Sequence, residues 1–141
     1  MQEHVVNSRE NPKHLRVALV VFGLIFIFAV YPLSVFWPSG WVWHHGRSEY
    51  LEMIMALYAT LGVFLLIASR QPERHISLIA FTIWSSIVHA AVMTVQALGN
   101  PMHTGHLYGD VPALFIVAAV LAWLCPQAFT FEFARQSKQW Q

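Results

Sequence analysis

Four long apolar runs, separated by short polar breaks, set the pattern of this chain. They cover about 15–36, 50–69, 76–98 and 111–129. Each approaches or exceeds the roughly 20 residues that span a bilayer core at about 1.5 Å rise per residue. The breaks carry helix-stopping residues: "WPSG" after the first run, "RQPERH" between the second and third, and "LGNP" after the third. Backbone polar groups in hydrocarbon must be satisfied internally, so only helices or closed barrels can cross it, and runs this long mean helices. The pattern predicts an all-α integral membrane protein, an antiparallel four-helix bundle formed as one domain over 1–141. The first run is flanked by Lys13, His14 and Arg16, as a signal peptide would be. It is far longer than the roughly 7–15 apolar residues of a signal sequence, and no small-x-small cleavage site follows, so it reads as a retained helix.

Composition agrees. Hydrophobic residues make up 57% and charged residues 11%, against about 25% charged in an ordinary soluble domain. The lipid bilayer is the expected partner. A net charge of +1 supplies no basic field for nucleic acid. Cys125 is the single cysteine, which excludes an intramolecular disulfide and any multi-cysteine zinc site.

The distribution of charge orients the helices. Arg9, Lys13 and Arg16 precede the first, Arg70 and Arg74 lie between the second and third, and Arg135 and Lys138 follow the fourth. The other two connections hold only Arg47 between them. By the positive-inside rule both termini face the cytoplasm, which implies a multi-pass protein of the inner (plasma) membrane. Trp37, Trp41 and Trp43 form an aromatic belt at the outer interface, and Phe129, Phe131, Phe133 and Trp140 a second one inside.

Histidine is the anomaly, with eight residues, as many as lysine and arginine together. His44 and His45 fall on one outer connection, His103 and His106 on the other, and His4, His14 and His75 on the cytoplasmic side. His89 alone lies inside a span. On the third helix Thr82, Ser85, Ser86, His89, Met93 and Gln96 recur at steps of three and four and share a face. Such a stripe faces protein or a water cavity, because lipid cannot satisfy it. Interhelical hydrogen bonding alone accounts for the hydroxyls; an intramembrane histidine points to function. On the second helix Glu49 sits in the headgroup region, whereas Glu52 is about a turn deeper, where a carboxylate must be paired, protonated or metal-bound. The short connection 70–75 places the second and third helices side by side, so Glu52 and His89 are expected to meet. In "HTGHLYGDVP" (His103–Pro112), Gly105 and Gly109 oppose a regular helix before Asp110. Asp110 followed by Pro112 also fits a helix N-cap with proline in the first turn. His106 is the better ligand candidate of this loop, Asp110 the second.

These residues support several readings. The first is a transition-metal site of Glu52, His89, His106 and Asp110 for zinc, iron, manganese or copper, with Ser85, Ser86 and Gln96 as surrounding hydrogen-bonding partners. No Glu-x-x-His pair or zincin motif accompanies it. A single haem on His89 with His45 or His106 ranks behind it. An outward pocket for a small molecule or a proton path is the third reading, with oligomerisation into a homo-oligomer implied for a transporter of only four helices. A purely structural membrane scaffold is the fourth. No reaction follows from the residues, and whether the chain is an enzyme stays open.

The segment "LYATLGVFLLIASRQPERHISLIAFTIWSSIVHAAVMTVQA" (Leu57–Ala97) with "GHLYGDVPALF" (Gly105–Phe115) resembles a family of small, uncharacterised bacterial four-helix membrane proteins. The likeness covers helices two to four and takes in Arg70, His75, Ser85, His89, Gln96, His106 and Asp110. It implies the topology and a bacterial source; it implies no reaction and no ligand set.

Overall fold

In the computed structural model, residues 12–43, 46 and 48–130 are described. His4, His44, His45, Arg9, Arg47, Phe131, Phe133, Arg135, Lys138 and Trp140 lie outside them. The described residues are helical without a strand. Helix α1 (Pro12–Leu24) passes through a π-helical turn (Ile25–Ala29) into α2 (Val30–Phe36). A short α3 (Pro38–Trp41) precedes α4 (Glu49–Ala68). A 3-10 turn at Pro72–Arg74 leads to α5 (Ile76–Gly99), and a 3-10 helix at Pro101–Leu107 to α6 (Asp110–Leu124) and α7 (Pro126–Thr130). Four segments, Lys13–Phe36, Glu49–Ala68, Ile76–Gly99 and Pro101–Leu124, are long and apolar enough to cross a membrane.

Local chemistry sets the boundaries. Ser48 caps α4, its side chain accepting from Leu51 N at 3.3 Å. Asn100 opens the 3-10 helix by accepting from Met102 N at 3.0 Å. Pro38, Pro72 and Pro101 each stand in the first turn of their segments, where a missing N–H costs nothing. The π turn lies just upstream of Pro32, whose ring would clash with the carbonyl four residues back, at Phe28. Widening that turn lets the helix continue through the proline. The fourth apolar run is not one helix to 129: Cys125, preceding Pro126, takes φ −138° and ψ 70° and divides α6 from α7.

The helices associate as two pairs. The first is α1 with its π turn against α4. Gly23 and Gly62 meet there backbone to backbone: a Cβ on Gly62 would lie 2.6 Å from the Gly23 carbonyl oxygen, and one on Gly23 2.9 Å from that of Gly62. Small residues at a crossing allow this approach. The second pair is α5 against α6 and α7. The fully buried Leu19, Leu65, Ile79, Ile83 and Leu121 join the pairs at the end carrying the Pro72–Arg74 turn. The expectation that the second and third helices lie side by side is corrected here: α4 and α5 scarcely touch, despite their short connection. The Gly62 notch commits α4 to the first helix, and the two pairs part toward the end that carries α3 and the 3-10 helix.

Candidate functional site

The space between the two pairs is a cavity of about 530 Å³. Its walls come from all four long segments and from the connection around Trp41–Trp43. A second cluster, Ala90, Met93, Val111 and Leu114 with Trp43 and Tyr58 packed against it, forms its floor on the α5–α6 side. Most of the lining is apolar; Ser48, Tyr58, His89 and Asp110 contribute polar groups.

The two connections at this end lock together through glycine. A Cβ on Gly105 would collide with the Ser39 carbonyl, and one on Gly109 with that of Gly40. The 3-10 helix thereby lies directly on α3. This contact brings Trp43 over the loop histidines, its ring stacked on His106 at 4.0 Å and 17°, and 4.7 Å from His103.

His106 is fully buried. His106 Nδ1 and Asp110 Oδ2, four residues apart, are joined by a hydrogen bond of 2.9 Å. His106 Nε2, Asp110 Oδ1 and Trp41 Nε1 are buried without a hydrogen-bond partner among the described residues. Asp110 is the first residue of α6, with Gly109 in the capping position, so the proposed N-cap role passes to a residue without a side chain. The carboxyl group is bonded to His106 and also faces the backbone N–H groups of Asp110 and Val111.

A second pair joins the two halves of the molecule. Tyr58 Oη and His89 Nδ1 are 2.7 Å apart, with the rings stacked at 5.9 Å and 24°. Phe26, from the π turn, packs edge-on to Tyr58 at 5.1 Å and 68°. This bond ties α4 to α5 where their backbones have separated.

The sequence-derived candidates are distributed unevenly around this cavity. His89 and Asp110 line it, and His106 stands behind Asp110. Glu52 is exposed and does not line it; the hydrogen bond that reaches His89 from α4 comes from Tyr58. The four expected metal ligands therefore do not converge, and among the described residues no three of His, Cys, Asp and Glu are grouped as ligands. Ser85, Ser86 and Gln96 are also absent from the lining. The Ser85 hydroxyl donates to Thr82 O at 3.4 Å, as Thr82 does to Leu78 O at 2.9 Å, so these hydroxyls are satisfied by their own helix. Ser86 is buried and Gln96 exposed. Sequence reasoning missed Tyr58, Trp41 and Trp43 as wall residues. The available signal was Tyr58 in mid-span, where a phenolic O–H requires a partner and His89 is the intramembrane group to supply one.

No curated protein and no solved structure matches the chain. A family model described as a family of unknown function (DUF6632) matches residues 10–136, and the chain belongs to that family.

Proposed function

We propose that this protein is an integral membrane four-helix module that binds an amphiphilic small molecule in the cavity between its helix pairs. Four segments long and apolar enough to cross a bilayer support membrane insertion, as do the large apolar side chains exposed along them, such as Phe28, Leu57, Val88 and Trp123. With Arg70 and Arg74 in the cytoplasm, α3 and the cavity fall in the outer half and both termini inside.

The observation that carries the ligand reading is the coincidence of the cavity with buried polar atoms that lack partners. About 530 Å³ lies within the roughly 300–1,000 Å³ usual for small-molecule sites. Asp110 and Trp41 both belong to the wall, and Asp110 Oδ1 and Trp41 Nε1 are buried without a partner among the described residues. Buried polar atoms are nearly always paired, and an apolar chamber with a few unpaired groups at one end suits a molecule with an apolar body and a polar head.

The test is saturable binding of an environment-sensitive apolar fluorophore to protein in phosphatidylcholine nanodiscs. Ala113, in the wall, is the position at which to fill the chamber. Wild-type protein is expected to bind one fluorophore per cavity and Ala113→Phe to bind none. Equal, non-saturable uptake by both, matching empty discs, would refute the reading and leave a structural scaffold.

A further inference from the structure

Given that ligand-binding reading, we infer that the cavity selects a lipophilic cation, an organic ammonium or phosphonium, with Asp110 as its counter-charge. Three features of the wall point the same way. Among the described residues Asp110 is the one carboxylate of the wall, and no lysine or arginine lines the cavity. Oδ2 is bonded to His106 Nδ1, and Oδ1 is buried with no hydrogen-bond partner among the described residues. A carboxylate held in apolar surroundings favours a positive group beside it and penalises an anion.

The second feature is aromatic. Phe22, Phe26, Trp41, Trp43, Tyr50 and Tyr58 all line the cavity. Ring faces carry negative electrostatic potential and hold ammonium-type cations, more strongly when water is excluded. The third is size together with ligand chemistry. At about 530 Å³ the chamber is large enough for an organic molecule, and no trio of metal-ligating side chains is present among the described residues to dehydrate a small ion. His106 acts here as a positioning residue: its bond to Oδ2 and the stack of Trp43 on its ring fix the carboxylate at the head of the chamber.

The test compares tetraphenylphosphonium, neutral tetraphenylsilane and tetraphenylborate, which share a shell of four phenyl rings and differ in charge. Equilibrium dialysis against protein in zwitterionic nanodiscs, corrected with empty discs, gives the three affinities. The cation is expected to bind about tenfold or more tighter than the neutral compound, with no saturable binding of the anion. Asp110→Asn should bring the cation down to the neutral compound's affinity and leave the neutral compound unchanged. A neutral or anionic probe binding as tightly as the cation overturns the cation assignment while the ligand cavity stands. So does a cation preference that survives Asp110→Asn. Failure of all three probes, with the apolar fluorophore still bound, also defeats the cation assignment alone; failure of every probe defeats both. Should Asp110→Asn not fold, the wild-type ranking by charge decides by itself.

Discussion

Among single residues, His106 and Asp110 bear the greatest energetic demand. Breaking a buried pair by removing one partner leaves an unsatisfied polar group, whereas replacing both with apolar residues of similar volume is often neutral. His106→Ala is expected to cost about 3–5 kcal/mol, read as a lowered midpoint of unfolding in detergent. The double variant His106→Leu/Asp110→Leu should recover most of that loss. If the double variant is as unstable as the single, the pair is not the source of the cost. Tyr58→Phe removes one hydrogen bond to His89 and keeps the ring, so about 1 kcal/mol is expected. Sequence alone marked His89, His106 and Asp110 because a titratable group in or beside an apolar run is costly unless used. It could not mark Trp41 and Trp43, which read as an interfacial belt until α3 folds them inward. Glu52 shows a related limit. Its depth along α4 is plain from the sequence, but the side it faces depends on which helix α4 packs against.

Helix pairing follows from a few small residues. Gly62 lies where a Cβ would stand 2.6 Å from the Gly23 carbonyl oxygen, so even Gly62→Ala must push α1 and α4 apart. A loss of about 1–3 kcal/mol is expected, as for overpacking a filled core, while Gly99→Ala, where an added Cβ meets nothing within 4 Å, serves as the tolerated control. Similar unfolding midpoints for the two variants would count against the backbone contact. Gly105 and Gly109 show how an element can be read for the wrong reason. They oppose an α-helix before Asp110, and that segment is a 3-10 helix followed by a turn. The demand on them is the close approach to Ser39 and Gly40, which no local pattern reveals. The long apolar runs marked the four segments able to cross a membrane, since length and apolarity are properties of the chain itself. Their partners depend on contacts between residues far apart in sequence.

For the whole molecule, the consequence of this pairing is a gap. Two helix pairs joined tightly at one end by Leu19, Leu65, Ile79, Ile83 and Leu121 part at the other, and the gap is spanned by the Tyr58–His89 bond and closed over by the interlocked connections. The π turn contributes Ile25 and Phe26 to its wall, so the irregular winding above Pro32 falls beside the cavity. The four-ligand metal centre expected from residue types alone would have required α4 to turn Glu52 inward; the partition into pairs turns Tyr58 inward instead. Photolabelling shows whether the gap is a ligand chamber. Protein in nanodiscs is irradiated with an apolar diazirine probe, and the labelled residues are mapped by mass spectrometry. Saturable labelling is expected at Met55 and Met93, which line the cavity, and is expected to be lost in Ala113→Phe. Labelling confined to outward-facing residues such as Phe64 and Val88, and unaffected by Ala113→Phe, would contradict it.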